Sequence, residues 1–135
     1  MKLTQSELIA LAAEAMKRSY SPYSNFKVGA ALECTDGTVY TGCNIENAAY
    51  TPTNCAERTA FFKAVSEGRR DFCRIAIVGG KDGVISSPTA PCGVCRQVMR
   101  EFCGDDFIIL LYDGENIIET TLGELFPRSF GPEDL

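Results

Sequence analysis

Three cysteines, Cys55 and the pair in Pro91-Cys92-Gly93-Val94-Cys95, each stand where a helical pattern begins, and this narrows the ways the chain can be wound. Cys55 opens the apolar run Cys55-Ala56-Glu57-Arg58-Thr59-Ala60-Phe61-Phe62. Asn54 ahead of it is a good helix cap, which predicts that the thiol lies in a first turn, where free backbone N–H groups and the helix dipole favour a thiolate. Cys92 and Cys95, three apart on a second helix, share a face. Alone, that pair would suit a redox couple or half of a structural zinc knot. With Cys55 added, three sulfurs form a three-legged metal site with one coordination position open, the arrangement zinc has where it does chemistry.

Histidine is absent from the chain, which excludes Ser-His and Cys-His nucleophilic schemes and leaves carboxylates, thiols or water to move protons. The 135 residues, 45% of them apolar, suffice for a core without disulfide staples and predict one domain over residues 1–135. Neither a signal peptide nor an apolar run long enough to span a membrane is evident, and seven cysteines with no pairing pattern suit a reducing compartment, so a cytoplasmic protein is expected. Cys34, Cys43, Cys73 and Cys103 read as small buried side chains. A net charge of -5, with Lys17-Arg18 and Arg69-Arg70 the adjacent basic pairs, argues against nucleic acid as a partner.

Along the chain, Thr4-Gln5-Ser6-Glu7 is a capping box ahead of a helix to about Ser19. Lys27 to Cys34 reads as a buried strand, and Asp36-Gly37 turns it into a partner from Val39 to about Cys43. The helix after Cys55 carries apolar residues on more than one stripe, Phe62 and Val65 among them, which predicts burial on several sides, with Gly68 as its stop. Arg74 to Val78 suggests a central parallel strand. A helix from Cys92 to about Phe102, a strand from Phe107 to Tyr112, a weaker one from Ile117 to Thr120 and a short helix ended by Pro127 complete the order. The sum is an α/β fold, a three-layer α/β/α sandwich whose five-stranded mixed sheet has helices on both faces, with both cysteine-bearing helix starts at one end of the sheet.

Cys-Ala-Glu followed by Pro-Cys-x-x-Cys supplies three metal ligands and one acid left over, and it is the signature of zinc nucleobase deaminases. In that setting Glu57 is the acid available to carry a proton from water to a ring nitrogen and then to the leaving amine. Arg58, three residues from Cys55, can lie beside the sulfurs and donate to them, offsetting the negative charge of three thiolates. Asn44 and Glu46, two apart in an extended segment, point the same way and suit two adjacent sugar hydroxyls. Phe26 reads either as a core anchor or as a platform for a base, and Phe130 as an aromatic that docks somewhere.

The chain resembles the small, homotetrameric, three-cysteine cytidine deaminases over nearly its whole length. The likeness rests on Cys55-Ala56-Glu57-Arg58 and Pro91-Cys92-Gly93-Val94-Cys95-Arg96-Gln97, on Pro22-Tyr23-Ser24 with Phe26 and Val28-Gly29-Ala30-Ala31, and on Gly42-Cys43-Asn44-Ile45-Glu46-Asn47-Ala48. It implies hydrolysis of cytidine or 2′-deoxycytidine to the uridine and ammonia, a step of pyrimidine salvage, with one zinc ion per subunit on Cys55, Cys92 and Cys95. It further implies that Glu57 is catalytic, that Asn44 and Glu46 hold the sugar, that Phe26 stacks on the pyrimidine beside Ala56, and that Phe130 reaches a neighbouring subunit's site. The chain departs from the pattern at Ala90, where relatives often have Ser, and at Phe126, in place of a Leu. Three other readings make contrary demands. A closed structural zinc module needs Cys43 or Cys73 as fourth ligand. A deaminase of nucleotides or RNA needs basic groups for phosphate, and a deaminase of aminopyrimidine antibiotics would lack the Asn44-Ile45-Glu46-Asn47 block.

Overall fold

In the computed structural model, which describes residues 3–135 of the domain expected over 1–135, the first capping box is made. Thr4 Oγ1 accepts from the Glu7 N–H at 3.1 Å and the Glu7 carboxylate accepts from the Thr4 N–H at 2.8 Å, starting helix α1, Gln5–Met16. It ends before Ser19, because Tyr20 is drawn into a backbone bridge with Ile45. Strands β1, Phe26–Cys34, and β2, Val39–Cys43, form the expected hairpin. Helix α2 spans Ala56–Ser66, and Gly68, at φ +94°, takes the left-handed position after its end.

Strand β3 runs Phe72–Lys81, longer than the apolar run suggested, because it pairs antiparallel along the whole of β1. It is central, but parallel only to β4, Ile108–Tyr112. Helix α3, Gly93–Phe102, joins the two; β5, Ile117–Thr121, and α4, Leu122–Leu125, follow. The sheet order is β2-β1-β3-β4-β5, the five-stranded mixed sheet anticipated.

Alternation along β1 divides the core. Val28, Ala30 and Leu32 pack with Ala60 and Phe61 of α2 and Met99 of α3, whereas Ala31 packs with Ala76, Val78 and Leu110 under Leu8, Ala12 and Met16 of α1. Helices therefore cover both faces. Phe61 anchors α2, fully buried with the Phe72 ring 5.1 Å away edge-on. Phe62 does not follow it inward and is 49% exposed, so α2 is buried on one stripe within the chain.

Gly42 sets the approach of α2 to the sheet: a Cβ there would lie 2.4 Å from the Ala56 carbonyl oxygen. Among the remaining cysteines only Cys34 is fully buried; Cys43, Cys73 and Cys103 keep partial exposure at strand and helix ends.

Candidate active site

Cys55 is itself the N-cap of α2, with extended backbone, and its side chain makes no capping bond. Asn54 is not the cap, because its backbone is paired in both directions with Ile45 at 2.9 Å, while its amide donates to Thr59 Oγ1 at 3.2 Å. Cys92 is likewise the N-cap of α3, and its Sγ accepts from the Cys95 N–H at 3.4 Å. Both helix starts thus deliver a thiol to one point, and the Sγ atoms of Cys55, Cys92 and Cys95 all lie within 4.8 Å of one another.

The trio fits zinc. Tetrahedral Zn–S bonds of about 2.3 Å put sulfurs roughly 3.8 Å apart, and Cys55 and Cys92 Sγ are separated by 3.7 Å. Hydrogen bonding with Cys95, aided by Arg58, outweighs burial and drops the Cys55 thiol to about 5, while that shared proton and burial drive Cys95 up. The cluster gives up its first proton readily, as a cation site should. Cys43 and Cys73 stand apart from it: Cys43 Sγ donates to the Arg18 carbonyl and Cys73 Sγ to Glu33, which removes the fourth ligand a closed module needs.

Arg58 Nη2 donates to Cys55 Sγ at 3.2 Å, one turn along the helix. Glu57 is only 4% exposed. Burial pushes its carboxyl up to about 7, and the negative charge of Cys55 adds to the effect.

A cavity of about 240 Å³ opens in front of these groups and is bordered by Phe26, Asn44, Glu46, Ala56, Glu57, Cys55 and Cys92. Phe26 stands at the start of β1 and is 39% exposed, so it is not a core anchor. Ala56 borders the cavity although its own side chain is fully buried. Asn44 and Glu46 reach the same cavity but are not free. Asn44 Oδ1 accepts from Val28 N at 2.9 Å and Ser19 Oγ at 2.5 Å, and its Nδ2 donates to the Phe26 carbonyl at 2.8 Å. Glu46 accepts from the Tyr23 and Ser24 N–H groups at 2.9 and 3.1 Å and from Ser24 Oγ, bonds that hold its carboxyl below the usual range against some burial.

Val28, of the Val28-Gly29-Ala30-Ala31 motif, also lines the cavity, as do Thr53 and Thr89, which no motif marks. Phe130 is absent from this lining; it is 59% exposed, with its carbonyl held by Gln97.

Comparison with known proteins agrees with this geometry. The family described as the cytidine and deoxycytidylate deaminase zinc-binding region matches residues 2–111. A cytidine deaminase of Sporosarcina psychrophila is 52% identical over 130 residues, 96% of this chain and 93% of that protein. One from Halalkalibacterium halodurans is 51% identical over 129 residues, 95% of each. The crystal structure of cytidine deaminase from Burkholderia pseudomallei superposes with a TM-score of 0.87 at 46% identity, covering 95% of this chain and all of that one. With the sulfur trio, the buried acid and the five-stranded fold already in place, this chain belongs to the cytidine deaminase family of hydrolytic enzymes.

Proposed function

We propose that this protein converts cytidine and 2′-deoxycytidine, with water, to uridine and 2′-deoxyuridine and ammonia, as one catalytic domain with one zinc ion per subunit on Cys55, Cys92 and Cys95. The observation that carries the reading is Glu57, an acid buried in the wall of a nucleoside-sized cavity beside three clustered sulfurs. When bound, the ion would supply a Lewis acid that brings the ionisation of water toward neutral pH.

The protein's own groups do the rest. A carboxyl near 7 both accepts and releases protons at working pH. Glu57 takes the proton of the attacking water, places it on ring N3 and then assists departure of the C4 amine. Phe26, exposed at the cavity edge, offers a face on which the pyrimidine stacks. Arg58 donates to Cys55 and limits the negative charge at the sulfurs.

The hydrogen bonds that Asn44 and Glu46 already make limit the sugar contact. After its three bonds Asn44 retains one N–H, and Glu46 retains one lone pair on Oε2. One donor and one acceptor suffice for a single hydroxyl, which accepts from the amide and donates to the carboxylate. That supports acceptance of 2′-deoxycytidine alongside cytidine and disfavours a substrate without a sugar.

A cytoplasmic homotetramer serving pyrimidine salvage completes the reading. Seven free thiols are consistent with a reducing compartment, and among the described residues no helix is long and apolar enough to cross a membrane. Exposed Phe62, Tyr50 and Phe130 supply apolar surface for subunit contacts, Phe130 toward a neighbour's cavity. The test is the fall in cytidine ultraviolet absorbance, with wild type and Glu57→Gln run side by side. The variant is expected to be folded and zinc-loaded yet slowed by about 10²–10⁴-fold; an active Glu57→Gln enzyme would defeat the mechanism.

A further inference from the structure

Of the three sulfurs Cys92 is the exposed one, Cys55 being partly and Cys95 fully buried. It also sits at a helix start, where backbone is least constrained by its own hydrogen bonds. The residue before it, Pro91, is fully buried, and its carbonyl accepts from Arg96 Nε at 2.8 Å. The other edge of the same guanidinium donates from Nη1 to the Leu125 carbonyl at 2.5 Å, at the end of α4. Arg96 therefore bridges two backbone carbonyls 34 residues apart, one of them adjacent to a sulfur ligand.

The Leu125 end is no loose anchor. Gln97 Nε2 donates to the Phe130 carbonyl at 2.9 Å, and Arg100, itself 7% exposed, donates to Ser129 Oγ at 2.6 Å and pairs with Asp105. Three side chains of α3, all just beyond Cys95, thus hold the segment from Leu125 to Phe130. Only Arg96 also grips the cysteine loop.

We propose that Arg96 is a positioning residue that fixes Cys92 by tying the Pro91 carbonyl to the end of α4, making the closing segment of the chain part of the metal framework. The proposal rests on the zinc reading above. A planar fork with two divergent N–H edges can serve both carbonyls at once; a lysine can serve one. Without the bridge Pro91 relaxes, Cys92 loses its fixed approach, and the ion is held by the Cys55 and Cys95 pair with a wandering third ligand.

The test is zinc transfer from the full-length enzyme to a chromophoric chelator, together with the thiolate-to-metal absorption of cobalt-substituted protein. Wild type, Arg96→Ala, Arg96→Lys and Gln97→Ala are compared. Arg96→Ala is expected to lose zinc about 10–100-fold faster, the range seen when groups supporting metal ligands are removed, with altered cobalt bands. Arg96→Lys should fall between it and wild type, and Gln97→Ala should stay near wild type. If Arg96→Ala does not fold, Arg96→Lys carries the test. Wild-type release rates and cobalt spectra in the Arg96 variants would overturn the proposal. So would a Gln97→Ala effect as large as theirs, since that would make the contact merely structural. A wild-type enzyme that binds no zinc would instead overturn the metal reading itself.

Discussion

Arg58 donates from Nη2 to Cys55 Sγ across 3.2 Å, while the Nε of the same guanidinium is buried without a hydrogen-bond partner. A buried unsatisfied donor costs free energy, so the hydrogen bond to Cys55 and the negative charge of that sulfur must hold the side chain there. Arg58→Ala is expected to keep zinc while turnover falls about 10–100-fold, and Arg58→Lys to recover part of the loss. Zinc content by atomic absorption beside kcat checks this; an unchanged kcat in the alanine variant would remove the role.

Deoxy analogues test the sugar contact. In the proposed mode of binding, the one N–H left on Asn44 and the one lone pair left on Glu46 engage a single hydroxyl. Among 2′-, 3′- and 5′-deoxycytidine, only one should lose about 10–100-fold in kcat/KM, the worth of a hydrogen bond to a charged group, and it should not be the 2′ compound. Two analogues failing together would show that the valence count is wrong.

Asn44 also holds the fold. Asn44→Ala leaves the Val28 N–H and the Phe26 carbonyl without these partners at the start of β1. A loss of about 1–3 kcal/mol of stability should accompany its loss of activity. Denaturant unfolding measures the first; an inactive variant of full stability would mean that Asn44 serves the substrate alone.

Gly42→Ala adds one methyl where the Ala56 carbonyl oxygen would lie at 2.4 Å and the Ala60 nitrogen at 2.7 Å. Backbone must move, so α2 lifts from the sheet and carries Cys55 and Glu57 with it. The expected result is about 1–3 kcal/mol of destabilisation together with weaker zinc retention. A thermal melt and a chelator titration would show whether both occur.

Glu33 and Arg74 form a buried pair at 2.6 Å on the α1 side of the sheet, and Leu3 closes over them. Burial raises the Glu33 pKa, but bonds from Arg74, Cys73 and the Leu3 N–H outweigh it and leave the carboxyl below its ordinary value. A depressed folded-state pKa gives stability that is present above the unfolded value, about 4.3, and is lost as pH falls through the folded one. Glu33→Gln should cost about 3–5 kcal/mol near neutrality by stranding Arg74. It should also flatten the stability loss below about pH 4. Unfolding curves for both proteins from pH 7 to 3 would decide the matter.

Much of the fold was legible because its signals are local. The Thr4 capping box, the Asp36-Gly37 turn and the alternation along β1 each act within a few residues, and each of these features formed. Two of the misplaced boundaries share a cause. Asn54 lost the cap, and α1 its last turn, to pairing with Ile45 and Tyr20 across a loop that local propensity does not describe. The helix carrying Phe62 was expected to be buried on several sides, by the sheet and by a second subunit; within the chain only the Phe61 stripe meets the sheet.

The amino-acid sequence by itself determined which chemistry could assemble: two helix starts carrying thiols, an acid two residues after the first and an arginine beside it, since these depend on spacing along single helices. Only the tertiary structure decided how far each group is already committed. That Asn44 and Glu46 have one valence apiece to spare, and that Arg96 spans Pro91 and Leu125, follows from bonds between residues 5 to 29 positions apart, several of them to backbone groups that every residue carries alike.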